Sequence, residues 1–258
     1  MKKIKFAFII ISLLTIQIVG LMSQGTAGDK AKYETRFVVD MPTAGMLPDN
    51  AYSITSAVYP SGGLMAAFDA GFLKHFNAGI RVSGNNIVGD GEISWQWLPG
   101  ISAKARLFDE RKASPAIVLG FESQGGSNYI GNQRFKTHSP GFYIAASKNY
   151  LWDLGNLAFH GGVGYSLEPK NEDAFPNAFG GLEQSIGSYL AVNVEYNFQL
   201  DEKKDLYYVR RGLLNASLRG SVAPGVTAEI RFRDLLNHAR YSEGHERIVA
   251  LEIIKFFK

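Results

Sequence analysis

The chain has 258 residues, 28 glycines, 12% aromatic residues and no cysteine, so disulfides and a lipid-modified N-terminal cysteine are excluded. Its formal charge of +3 belongs to the first residues, because cutting after Ala27 removes Lys2, Lys3 and Lys5 and no acid, which leaves zero. A chain without net charge has no global electrostatic case for nucleic acid.

Residues 1–27 have the layout of a secretory signal peptide. Three lysines precede an almost wholly apolar run from Phe6 to Met22, and the small residues Ser23, Gly25 and Ala27 follow as cleavage sites. The competing reading is an N-terminal membrane anchor, since the run is near the lower limit for a spanning helix. Cleavage is favoured because no cationic stop-transfer cluster follows. The expected mature unit is one domain, residues 28–258.

From there on no stretch approaches the roughly 20 consecutive apolar residues of a membrane helix. Strands are predicted instead near residues 35–40, 51–58, 64–72, 76–84, 92–97, 101–108, 115–123, 140–148, 157–167, 177–185, 189–199, 211–222, 226–234 and 246–257. The clearest is 189–199. Leu190, Val192, Val194, Tyr196 and Phe198 alternate with Ala191, Asn193, Glu195, Asn197 and Gln199, which a strand with one apolar and one wet face requires. Ile101, Ala103, Ala105 and Leu107 oppose Ser102, Lys104 and Arg106, and Val226, Ala228, Ile230 and Phe232 oppose Thr227, Glu229, Arg231 and Arg233.

Strands that are apolar outward and polar inward suit a barrel wall in lipid. The predicted fold class is all-β, a transmembrane antiparallel up-and-down β-barrel of about 12 to 14 strands. Pro60-Ser-Gly-Gly, Asp90-Gly91, Pro99-Gly100, Gly187-Ser188 and Pro224-Gly225 are compact breakers between strands. Longer polar loops fall at 123–140, 168–176, 201–211 and 236–245. At the end of the chain Val249, Leu251, Ile253 and Phe257 share one face. That resembles the closing strand read by the barrel-insertion machinery, with Lys258 after the aromatic as a departure from the pattern.

Candidate lumen-facing residues are Lys104, Arg106, Glu195, Arg219, Glu229, Arg231 and Arg233. This subset carries a mild cationic excess, so an open pathway through it would favour anionic solutes such as acidic sugars. The alternative is that these arginines pair with loop carboxylates and plug the barrel. No pair among His75, His138, His160, His238 and His245 has metal-ligand spacing, so no metal or cofactor is expected. His160 shares strand parity with Ser166, but six residues along a strand is roughly 20 Å, too far for a hydrogen bond. The run from Gly84 to Gly91 lacks the lysine and following helix of a phosphate loop. Trp95, Trp97, Trp152, Tyr143, Tyr150, Tyr165, Tyr189 and Tyr196 suit aromatic girdles at two membrane interfaces, or else a sugar-binding surface.

The stretch Val39-Asp-Met-Pro-Thr-Ala-Gly-Met-Leu-Pro, followed by Tyr59-Pro-Ser-Gly-Gly-Leu and Gly89-Asp-Gly, resembles the start of YjbH-like outer-membrane proteins. The runs from Pro115, Gly141 and Leu157 are similar to uncharacterised barrels of the same broad set. The resemblance implies a role around exopolysaccharide production and export, with polysaccharide or polysaccharide-export proteins as partners besides outer-membrane lipid. The expected function is non-enzymatic support of transport or secretion of surface material from the cell outer membrane. The alternatives are an outer-membrane enzyme acting on lipid or glycan, and a soluble periplasmic β-sandwich binding module.

Overall fold

The computed structural model describes residues 25–129, 134–168, 175–202, 208–240 and 245–258. Most of the expected signal peptide therefore lies outside the described residues, and only 25–27 of it are seen. Fifteen strands are present among the described residues. They are β1 (Ala51–Tyr59), β2 (Gly63–Phe72), β3 (Phe76–Asn85), β4 (Ser94–Trp95), β5 (Gly100–Phe108), β6 (Ala116–Glu122), β7 (Gly126–Tyr129) and β8 (Phe135–Thr137). Then come β9 (Gly141–Trp152), β10 (Gly155–Tyr165), β11 (Asn177–Ile186), β12 (Leu190–Asn197), β13 (Leu213–Ala223), β14 (Val226–Arg233) and β15 (Glu246–Phe256).

Twelve of these form a closed antiparallel barrel in the order β1, β2, β3, β5, β6, β9, β10, β11, β12, β13, β14, β15. Closure is made by β1 on β15, with Ala51 opposite Phe256 and Val58 opposite Val249. A closed sheet leaves no unpaired edge, which is the condition for strands to stand in lipid. The remaining three strands are accessory: β4 adds two residues to the end of β3, and β7 pairs with β8 as a hairpin outside the wall.

Two sequence expectations are corrected here. The predicted strand at 35–40 is not a stave; Phe37 makes only an isolated bridge to Pro42. The predicted strand at 92–97 shrinks to the two residues of β4. Removing both from fourteen candidates gives the even count of twelve.

The dyad pattern decides which face is wet. Along β12 Leu190 and Val194 are 44% and 39% exposed, whereas Ala191, Asn193 and Glu195 are fully buried. Ile101 and Leu107 on β5, Ile230 on β14 and Val249 and Leu251 on β15 likewise face outward. Exposed large apolar side chains on a wall whose buried side is rich in charge invert the arrangement of a soluble protein. The wall is built for lipid outside and polar contents inside.

Connections sort by end. Residues 73–75, 109–115, 153–154, 187–189 and 224–225 join strands at the end where β1 starts and β15 finishes. The opposite end carries 86–99, 123–140, 166–176, 198–212 and 234–245, with 60–62 as its one short turn. The former is called the turn end and the latter the loop end. Pro224-Gly225 is tight because Gly225 holds φ near +72°, which costs glycine nothing.

Candidate functional site

Eight strands make a barrel that side chains alone can fill; twelve leave a wider bore that must be wet or occupied. Here residues 25–50 occupy it. The segment starts at the turn end, where Gly25 and Thr26 donate their N–H groups to Ser221 Oγ (3.2 Å) and Thr227 Oγ1 (3.0 Å). Asp29 N–H reaches the Gly187 carbonyl at 2.9 Å. From there the chain runs up the bore, turns at Val38 to Met41, and comes back to the turn end, where Leu47 N–H meets Asn77 Oδ1 at 2.8 Å. Val38, Val39, Met41, Ala44 and Leu47 are all at most 2% exposed.

A segment buried this way needs a partner for every backbone N–H and C=O. It makes almost no ladder of its own, because Pro42 and Pro48 supply no N–H and restrict the residues before them. The wall side chains supply the missing partners. Glu195 Oε2 accepts the N–H groups of Val39, Asp40 and Met41 at 2.8 to 2.9 Å. Lys104 Nζ donates to the carbonyls of Thr43 (3.0 Å), Gly45 (3.1 Å) and Arg36 (3.4 Å). Arg219 Nη2 donates to the carbonyls of Phe37 (3.0 Å) and Val38 (3.1 Å). Arg106 reaches the Ala44 carbonyl at 2.6 Å and pairs with Glu34. On the apolar side Met41, Ala44 and Met46 pack against Ala116, Val118, Tyr143, Ala145 and Phe179 of the wall.

The other three predicted positions form a chain of ion pairs higher in the bore. Glu229 accepts from Arg219 at 2.9 Å and from Arg231 at 2.8 Å. Arg233 places Nε and Nη2 each 2.6 Å from the two carboxylate oxygens of Asp40. All seven residues singled out from strand parity are thus within reach of the inner segment or of one another. The partners outside that set are the segment's own Arg36 and Asp40 and the wall's Asp69, Arg81 and Glu252. Arg36 donates through Nη1 to Asp69 at 3.0 Å, and through Nη2 to Ser53 at 2.8 Å and to Glu252. Arg81 binds Glu122 at 2.8 Å.

A cavity of about 110 Å³ remains between the segment and the wall. Five arginines line it, and so do five carboxylates: Asp40, Asp69, Glu122, Glu229 and Glu252. In the lining of this cavity the arginines are matched by acids that come from other strands and from the inner segment.

The loop end is covered by β8 and its flanks. Lys136 Nζ crosses to Glu246 at 2.5 Å, Arg134 pairs with Glu202 at 2.7 Å, and His138 Nδ1 lies 3.2 Å from Asp201. Glu168 accepts the N–H groups of Phe135 (2.7 Å) and Ser139 (2.6 Å), and burial holds its carboxyl above the usual range.

His160 does not meet Ser166. Its Nδ1 lies 2.8 Å from the hydroxyl of Ser147, its cross-strand neighbour, which also accepts the Ala44 N–H. That pair has no carboxylate behind it and serves as a support for the segment, not as a hydrolase dyad. Among the described residues there is no group of three or more side chains that could hold a metal ion.

No protein-family model matches the sequence, and no curated protein is similar to it at the sequence level. Among solved structures the chain is similar to a KdgM porin at 11% identity and a TM-score of 0.49, covering 80% of this chain and 99% of that one. A second structure, of the KdgM porin in complex with disordered oligogalacturonate, aligns at 10% identity and a TM-score of 0.47, over 80% and 99% of the two chains. A NanC porin structure aligns at 10% identity and a TM-score of 0.43, over 80% and 100%. The architecture described above rests on the strand pairing of this chain itself.

Proposed function

We propose that the protein is an outer-membrane channel for surface saccharide material, held closed at rest by its own N-terminal segment. The observation that carries this reading is the closed twelve-strand wall, apolar outside, with a charged bore filled by residues 25–50. A barrel meant only as a filled scaffold can be narrower. A bore whose filling is one continuous segment that pairs with no wall strand can be emptied without breaking any wall pairing. In this reading the turn end faces the periplasm and the loop end faces outward, as the lengths of the connections suggest.

Export of exopolysaccharide, the finer role implied by the resemblance to YjbH-like proteins, is kept as the substrate class of this proposal. The decisive test pairs location with permeation. The processed chain is expected in the outer-membrane fraction as a heat-modifiable band, and proteoliposomes carrying it are expected to swell in oligosaccharide solutions faster than empty ones. Recovery in the soluble periplasmic fraction, or swelling equal to that of empty vesicles with and without residues 31–47, refutes the reading.

A further inference from the structure

One sector of the loop end carries cations that the filled bore does not use. The connections 198–212 and 234–245 are knit together there: Tyr208 bridges Ala239, Val209 N–H meets the His238 carbonyl at 2.7 Å, and His238 Nδ1 lies 2.8 Å from the Gly212 carbonyl. Arg210, Arg211 and Arg240 are exposed on this rim, and Arg247 is exposed where β15 leaves it. The acids close by are engaged elsewhere. Asp201 and Glu202 are buried against His138 and Arg134, Asp234 accepts the N–H groups of His238 (2.8 Å) and Ala239 (2.9 Å), and Glu246 holds Lys136. Among the described residues of this sector every exposed charge is therefore positive. The 86–99 connection, by contrast, carries Asp90 and Glu92 and no lysine or arginine.

Arg247 fixes the side of the wall that the cluster serves. Along β15 exposure alternates, with Arg247, Val249 and Leu251 outward and Ile248 and Ala250 buried. Strand pairing sets Val249 beside Ile230 and Ile230 beside Leu218, all three exposed, and sets Arg247 beside Phe232 in the next outward row toward the rim. Two residues along a strand is about 7 Å. A guanidinium thus stands one row above an apolar plate that faces lipid, on the opposite side of the wall from any solute in the bore.

We propose that the rim over β13 to β15 binds a phosphorylated glycolipid of the outer leaflet, with its acyl chains on Leu218, Ile230 and Val249 and its phosphates on Arg211, Arg240 and Arg247. The inference rests on the outward orientation of the loop end in the reading above and adds a lipid partner to it. Arginine matches phosphate oxygens with a planar fork of donors, and basic clusters at a membrane surface gain affinity with each cation brought near anionic head groups. A soluble anion would engage the arginines and leave the apolar plate unused. A lipid covers both, because the plate is continuous with the wall that already faces the bilayer.

The test uses the full-length barrel in detergent, its folding checked by heat modifiability. It is titrated with lipid A carrying its phosphates and with the same lipid after dephosphorylation, and binding is read by native mass spectrometry. The phosphorylated form is expected to bind more tightly by roughly fivefold for each arginine engaged, the equivalent of about 1 kcal/mol. Arg240→Gln combined with Arg247→Gln is expected to lower that affinity roughly 25-fold and to leave binding of the dephosphorylated lipid unchanged. Arg111→Gln, an exposed arginine of the turn end, is expected to change neither. Equal affinity for the two lipids, or an equal loss with Arg111→Gln, overturns the proposal. So does displacement of the lipid by polygalacturonate at matched charge, which assigns the arginines to an acidic glycan.

The chain has no cysteine, so Leu236→Cys on the same rim reports orientation without background. A membrane-impermeant maleimide is expected to label it on intact cells, and labelling only after the cells are broken puts the rim in the periplasm and overturns the proposal. Lipid binding needs no solute flux. A phosphate preference in a barrel that passes no saccharide therefore upholds this site and sinks the channel reading, and permeation without that preference does the reverse.

Discussion

The Glu195 carboxylate accepts the backbone N–H of Asp40 at 2.8 Å, and through the same oxygen it holds Val39 and Met41. One wall side chain therefore satisfies three consecutive donors of a buried turn. Glu195→Ala leaves those donors without an acceptor. It is expected to weaken the seat of the tip by about 3 kcal/mol, in the range for hydrogen bonds to a charged group. Amide hydrogen exchange at Val39 to Met41 should accelerate while exchange in β12 and β13 stays slow. Uniform acceleration across the wall would show that Glu195 supports the barrel and not the tip.

The strand faces give a second test. Val194 points outward and Asn193 inward, so Val194→Arg near mid-bilayer is expected to cost about 2–4 kcal/mol in a folding titration. A wet lumen would accept Asn193→Arg freely. In this barrel Asn193 is fully buried and donates to Ser217 Oγ at 2.9 Å, so the larger side chain is expected to cost about 1–3 kcal/mol by overpacking. An Asn193→Arg barrel as stable as the parent would mean that the bore is open there.

Arg36→Met removes the cation shared by Asp69 and Glu252. A carboxylate left buried without its partner is expensive, and the loss is expected to be about 3–5 kcal/mol in denaturant. Asp69 keeps Arg81 at 3.4 Å, so Glu252→Gln added to Arg36→Met should recover part of the loss. No recovery in the double variant would show that the two positions are not coupled.

The cover at the loop end should loosen as pH rises. Burial raises the Glu168 carboxyl above its ordinary range. The folded state thus binds that proton more tightly than the open state does, and the associated stability is fully present below the ordinary value of about 4.3. It is lost as pH rises from there through the raised value. Protection factors of the Phe135 and Ser139 amides are expected to fall across that window, and Glu168→Gln should flatten the dependence. A rise in protection over the same window would contradict the sign.

The wall was legible in the sequence because a period of two needs only local pattern. Lys104, Arg106, Glu195 and Arg219 were placed on the inner face by their apolar neighbours alone. The inner segment was not legible. Phe37-Val-Val-Asp has the composition of a strand, and whether it pairs at the wall or fills the bore depends on the bore's width, a property of all twelve strands together. Pro42, Gly45 and Pro48 were the available local signal, since three such residues in seven positions cannot continue a stave. The pairing of the cavity's charges was hidden for a related reason. Asp40 and Glu252 reach Arg233 and Arg36 from positions far away in sequence, across the inner segment and the wall.

Single-channel recording of the full-length barrel beside a variant lacking residues 31–47 tests the central claim most directly. The claim is that the bore of a twelve-strand wall is closed by its own N-terminal segment. The full-length chain is expected to show a closed baseline broken by brief openings, and the deleted chain a large, long-lived open level. Equal conductance in the two, with both barrels heat-modifiable, would contradict it.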